Sequence, residues 1–488
     1  MTSGQLNTQA GSASLAVTGP NATGPNASGP NQTGPNQSGP NQSGPKATVL
    51  RAKRGRLSAG PDDEPFGETL EETLAPELPE HLPSPAAHGW LPATLGIAAV
   101  VLIGLNLRAG IASAAALFHD LQQVMGYGPL IAAVLPSIPT LCFAVAGAGT
   151  SWLVRGLGVE KAIAVALLML TSGLAVRGVP SVGMLLVGTL VSMSGLAVCN
   201  VAMPSFIRDH YAHKTALLTG VYTITMSAGA TVAAAVSVPL AQQLHSPSLG
   251  LAAWAILSVV TLLAFLPMAV AAHRSPETGP GKVISPWSLL RTRAGLLITA
   301  FFSVQGLIAY SLISWLPYIL TSRGLDAAAS GMLLALMQVV SVPGNVLLLT
   351  MAGRPRLLRH AFVLSTGSLL VGAFALLLLP VALAALPAVL LGFGLGVFPL
   401  VLVVISRSGS STAETTAMST LAQSVGYLVA TIGPLGMGLL HGATGDWTLP
   451  LILLAAVGAL QVVLGYLLAG PATKPEAKRT PATNRTSA

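Results

Sequence analysis

Charge is what this sequence has least of. Only 8% of its 488 residues are Asp, Glu, Lys or Arg, whereas 52% are hydrophobic and the mean hydropathy is +0.70. A soluble globular domain carries about a quarter charged residues to wet its surface, so this composition excludes one. Cysteine is nearly absent as well. Cys142 and Cys199 both fall in apolar runs, which excludes a disulfide framework and leaves them as small packing residues. The apolar runs contain no acid: outside the tails Asp120, Glu160, Asp209, Glu277, Asp326, Glu414 and Asp446 all map to loops or run ends. His119, His210, His213, His245, His273, His360 and His441 map to the same places. No buried carboxylate or imidazole is therefore expected to carry a proton through the interior. There is no H-E-x-x-H, no intramembrane aspartate pair and no G-x-x-x-x-G-K-[ST] loop. Metal-assisted hydrolysis and ATP drive are thus not expected, and neither are catalytic residues, metal ligands or a cofactor.

What is present is a series of long apolar stretches. A bilayer-spanning helix needs about 20 mostly apolar residues. Twelve such spans can be placed: 91–117, 128–154, 161–178, 182–207, 215–241, 249–272, 294–320, 328–352, 360–379, 383–406, 416–440 and 448–469. The runs are too long and too poor in alternation for barrel strands, so the expected class is an all-α membrane protein with twelve transmembrane helices. The net charge of +8 and pI near 9.8 raise the question of a nucleic-acid partner. The placement of the 24 lysines and arginines answers it, because all but Arg108, Arg177 and Arg323 fall in alternate, same-side segments. By the positive-inside rule both termini are cytoplasmic and the chain is a multi-pass plasma-membrane protein, so the basic balance reports topology rather than an acidic partner. Trp90, Trp152, Trp254, Trp315 and Trp447 lie near span ends, where an interfacial aromatic belt is expected.

Residues 1–89 hold no run long enough for a signal peptide or a span. From Thr18 to Gly44 a five-residue Gly-Pro-Asn unit repeats, followed by a basic cluster at Arg51–Arg56 and a proline-punctuated acidic stretch. Such a composition cannot bury enough apolar surface to offset chain entropy, so a disordered cytoplasmic tail is expected, with another at 471–488. The hydrophilic stretch 273–293 divides the spans into an N-terminal six-helix half, 90–272, and a C-terminal half, 294–470. A 6+6 division is what transporters built from two similar halves show.

One charged side chain, Arg108, lies well inside an apolar run. A cation at mid-membrane depth costs roughly 2.5–3.5 kcal/mol on insertion scales, so it persists where it finds a partner, backbone carbonyls or a wet cavity. The spans offer it no acid, which leaves carbonyl binding or snorkelling on one side and a substrate-anion site on the other. Asn106, two residues earlier, is about 200° away around a helix, so the two cannot both face one cavity squarely. The costlier charge is assigned to the cavity, and Asn106, kept among the candidates, is left to bond a neighbouring helix or hold the local backbone. Polar residues at helical spacing supply the other candidates. They are Ser419, Gln423 and Tyr427 in span 11, ahead of the helix-bending Gly433-Pro434; Gln305, Tyr310 and Ser314 in span 7; Tyr222 and Thr223 in span 5; and Asn200 ahead of Pro204 in span 4. For each, interhelical bonding and ligand contact are both open.

Several stretches carry a family resemblance. They are Asn106-Leu107-Arg108, the segment Asn200 to Arg208, Tyr222-Thr223, Ser314-Trp315-Leu316-Pro317, Ala422 to Tyr427, Gly433-Pro434 and Gly445 to Pro450. Over about 90–470 the chain resembles the cyanate and 2-nitroimidazole transporter family of the major facilitator superfamily. One departure is Arg155, which stands in the loop 155–161 where the superfamily pattern has an aspartate. The resemblance implies a monomeric alternating-access carrier, with the bilayer and a small-molecule substrate as its partners. The implied substrate is a small anion such as cyanate or a related organic anion, or alternatively a neutral nitroimidazole-like or drug-like compound for efflux. Arg108, Asn106, Tyr222, Gln305, Tyr310, Gln423 and Tyr427 are the candidate substrate-binding residues. An intramembrane enzyme lacks its chemistry here and a sensor lacks a signalling domain; tracer uptake separates either from a carrier.

Overall fold

The computed structural model describes residues 90–272, 285–354, 356–409 and 411–470. The expected tails, 1–89 and 471–488, and most of the expected linker lie outside the described residues. Every regular element among the described residues is helical. The first six spans are built from α1 (Trp90–Met125), α2 (Pro129–Val134), α3 (Ile138–Leu157), α4 (Val159–Val176), α5 (Val182–His210), α6 (Thr215–Gln243), α7 (Pro247–Ala252) and α8 (Ala255–Ala271). The second six are built from α9 (Arg293–Ser322), α10 (Ala327–Ala352), α11 (Leu358–Leu378), α12 (Ala385–Leu395), α13 (Phe398–Ser408), α14 (Thr412–Ala430), α15 (Ile432–Thr444) and α16 (Thr448–Leu468). Eleven segments of the described chain are long and apolar enough to cross a bilayer, and a shorter apolar helix, Pro129–Val145, stands where the second span is expected. The result is an all-helical membrane bundle of twelve spans in two sets of six.

Four spans are broken, and three of the breaks have a proline at hand. Proline lacks an N–H and leaves the carbonyl four residues back without its helical donor. In span 2, Pro136 sits in a 3₁₀ turn, Leu135–Ser137, between α2 and α3. Pro399 follows the α12–α13 break, and Pro434 follows the break at Thr431 between α14 and α15. Trp315 of α9 donates its indole N–H to Pro434 O at 2.9 Å, so an interior side chain binds the interrupted helix. The interfacial role expected for Trp315 is therefore corrected: it is 2% exposed and belongs to the packed interior. Trp447, 3% exposed, is likewise packed inside, whereas Trp152 is 74% exposed.

Between helices, where lipid is as apolar as leucine, close backbone approach and polar bridges provide the cohesion. Gly229 of α6 lets α6 lie against α1; a side chain there would run into Leu105 O. Thr171 of α4 and Ser258 of α8 share a hydrogen bond at 2.7 Å. Arg177, expected in an outer loop, departs most from the sequence reading. It is 1% exposed, and its Nε donates to Thr189 Oγ1 at 3.1 Å and its Nη1 to Gly110 O at 3.2 Å. Its guanidinium ties α1, α4 and α5 together. Interhelical hydrogen bonds in bilayers contribute roughly 0.6–2 kcal/mol each. Arg177→Met is accordingly expected to lower the thermal midpoint in detergent by a few degrees while leaving substrate affinity unchanged.

Candidate functional site

A cavity of about 700 Å³ lies between the two sets of six helices. At one end its lining includes Thr219, Gly220, Leu349 and Leu402, all exposed, so the cavity is open there. This is the end near Arg208, Lys214, Arg354 and Arg407. The opposite end is sealed. Tyr318 of α9 donates to Gln122 Oε1 of α1 at 3.0 Å, joining the two halves. His119 of α1 meets the Tyr318 ring edge-on at 5.1 Å. Gly438 of α15 packs against Ala133 of α2 and Trp315, where a Cβ would come within 2.7 Å of both.

Arg108 of α1 lines this cavity. Among the described residues it has no hydrogen-bond acceptor and no ion-pair partner, and no ring is stacked on its guanidinium. Tyr222 of α6, Tyr310 of α9 and Tyr427 of α14 line the same cavity. Gln305 of α9 and Gln423 of α14 complete the set of expected residues that the fold brings to one space. Tyr222 donates to Asn200 Oδ1 at 3.4 Å, so that asparagine of α5 is a neighbour as well as a wall.

The two glutamines are held differently. Gln305 Oε1 accepts from Nε2 of Gln461, a fully buried residue of α16. The Gln305 amide N–H₂ makes no hydrogen bond among the described residues. Gln423 Nε2 is bonded to Ser419 Oγ at 2.7 Å, one turn back along α14. Asn106 goes elsewhere. It donates to Thr261 Oγ1 of α8 at 2.8 Å and to Leu102 O at 2.9 Å and is no part of the cavity wall. Its place among the binding candidates is therefore corrected, for the angular reason already given: when Arg108 turns inward, residue 106 turns to the neighbouring helix.

Sequence reasoning missed part of the wall. Gln338, Ser341 and Asn345 of α10 line the cavity from one face, at a spacing of three and four residues that was legible had span 8 been scanned for polar periodicity. Phe143 of α3 and Phe302 of α9 also line it, and nothing local marks one phenylalanine of an apolar helix as cavity-facing. Of the acids expected at run ends, Asp326 caps α10 by accepting from Ala329 N at 2.8 Å and Asp446 lies between α15 and α16, whereas Asp120 falls inside α1 and is half-buried there.

Twelve apolar helices around one cavity between two halves define a membrane carrier. Residues 97–431 match the Major Facilitator Superfamily. The chain is 31% identical over 378 residues to the 2-nitroimidazole transporter of Escherichia coli, covering 76% of this chain and 94% of that one. It is 30% identical over 379 residues to the cyanate transport protein CynX of the same organism, covering 75% and 96%. Among solved structures it resembles the nucleoside transporter NupG, with a TM-score of 0.62 at 12% identity, covering 78% of this chain and 99% of that one. The D-xylose-proton symporter matches with a TM-score of 0.61 at 14% identity, covering 79% and 99%. The chain belongs to the Major Facilitator Superfamily, in the branch that holds the 2-nitroimidazole and cyanate transporters. It is a transporter of small solutes.

Proposed function

We propose that this transporter moves a small anion, cyanate or a related organic anion, across the plasma membrane by alternating access, with Arg108 as the cation that receives the charge. The observation that carries this reading is the unpartnered Arg108 guanidinium in the cavity between the halves. Arg108 is half-buried, and a cation set between membrane helices without a counter-ion is costly unless a ligand or water supplies one. Tyr222, Gln305, Tyr310, Gln423 and Tyr427 surround the anion with neutral hydrogen-bonding groups from both halves. Counterflow of labelled cyanate in proteoliposomes tests the reading. Saturable exchange that anions inhibit and neutral azoles do not supports it. Efflux of a neutral nitroimidazole-like compound is the second reading, favoured by the aromatic side chains of the wall, and it gains the field if neutral azoles exchange while anions do not.

The same proposal places both termini in the cytoplasm, with the open end of the cavity facing inward. Single cysteines at two exposed positions test this orientation. In intact cells Gln243→Cys, at the end of α6, is expected to react with an impermeant maleimide, and His213→Cys, between α5 and α6, only after permeabilisation. The reverse order would invert the topology, and labelling of both from one face would break the span count.

A further inference from the structure

The aromatic part of the cavity wall narrows the substrate beyond its charge. Phe143 of α3 lies 5.2 Å from Tyr427 and 6.1 Å from Tyr310, ring centroid to ring centroid, and Tyr310 and Tyr427 are 6.2 Å apart. Phe302 stands edge-on to Tyr427 at 5.5 Å. The group is assembled across the interface, Phe143 coming from the first six spans and the other rings from the second six. All four rings belong to the lining that also contains Arg108.

Three observations converge on a ligand shape. The guanidinium is planar and carries neither a ring nor a carboxylate of the protein, so both its fork and its face are open to a planar guest. The rings present apolar faces and edges that a three-atom anion is too small to cover while its charge stays on Arg108, whereas an aromatic guest can meet them offset-stacked or edge-to-face. The cavity volume of about 700 Å³ falls in the range that encloses organic ligands. Gln305, with its carboxamide oxygen held by Gln461, belongs to the same lining.

Resting on the anion reading above, we propose that the substrate is a planar aromatic carboxylate, a single ring with its charge on Arg108 and its ring against Phe143, Tyr310 and Tyr427. The guest then lies against one aromatic surface to which both halves contribute, because Phe143 is already in contact with Tyr310 and Tyr427 across the interface.

Titration of the purified full chain with benzoate, its neutral isostere benzamide and cyanate tests the proposal. Benzoate is expected to bind about tenfold or more tighter than either of the others, the scale of one aromatic contact or one charge contact. Phe143→Leu is expected to bring the ratio of benzoate to cyanate affinity down toward one, and Tyr310→Phe, which keeps the ring, to preserve that ratio. If Phe143→Leu does not fold, the three wild-type affinities decide alone. Cyanate binding as tightly as benzoate overturns the aromatic inference and leaves the anion reading standing. Benzamide binding as tightly as benzoate overturns both, and so does failure of both anions to bind.

Discussion

Arg108→Ala is expected to abolish transport and leave a folded protein. The guanidinium holds no other part of the described bundle through a hydrogen bond or ion pair, so its removal takes no structural bond with it. For an anion, by contrast, the loss is that of one partner of a desolvated charge pair, typically 2–5 kcal/mol, or about 30- to 4,000-fold in affinity. Arg108→Lys is expected to recover little. An ammonium is a compact point charge and cannot reproduce a planar fork that meets two acceptor atoms at once. Gln423→Ala should cost less, roughly 1–3 kcal/mol, as the loss of a neutral bond to a buried polar group. Counterflow rates per folded molecule, with the thermal midpoint measured on the same preparations, check the series. Normal transport by Arg108→Ala would return the residue to a packing role and end the anion-site reading.

Gly438→Leu is expected to stop transport by a different route, through the sealed end of the cavity. A Cβ at 438 comes within 2.7 Å of Ala133 on α2 and of the Trp315 ring, so the seal closes only because there is no side chain. Overpacking a tight contact costs typically 1–3 kcal/mol. The two states of a conformational equilibrium differ by only a few kcal/mol, so a penalty of this size carried by one state alone moves a large share of molecules to the other. Ser137→Cys, buried next to α2, reports the change: its reaction with an impermeant maleimide should rise about tenfold in the Gly438→Leu background. Gly436→Leu is the control, because nothing lies within 4 Å of a Cβ at that position on the same helix. Equal labelling and equal transport in the two leucine variants would show that the contact at 438 is not a gate.

The spans were legible in the sequence because each is a long apolar run, and the break in span 11 was legible in Gly433-Pro434, but proline alone does not mark a break, since Pro204, Pro239, Pro267, Pro317 and Pro343 stand inside continuous helices. Arg108 was legible because a charge in an apolar run is rare and costly. Its neighbours Tyr222, Gln305, Tyr310, Gln423 and Tyr427 were polar residues at helical spacing, and all five reach the cavity wall. The same rule also selected Ser314, which is buried away from it. Spacing identifies a face but not what the face meets. Arg177 escaped for the opposite reason. It stands at a helix end, where arginines are normally solvated, and its inward turn depends on the positions of Gly110 and Thr189 on two other helices. Gln461 and Phe143 needed the order of helices around the bundle, which no single run of residues encodes.

The sealed end also contains its own optical reporter. Trp315 and Trp447 are 2% and 3% exposed, with ring centroids 5.2 Å apart, and Trp447 is stacked on His441 at 4.1 Å. Tyr318 touches both indoles and is itself bonded to the other half through Gln122. Parting of the halves at that end pulls away the α1 side of this cluster and admits water to two indoles that are otherwise dry. Trp152 and Trp287, 74% and 65% exposed, sit outside it and contribute a steady background. The emission of this protein, measured without any label, is therefore expected to shift to the red when the halves part at that end.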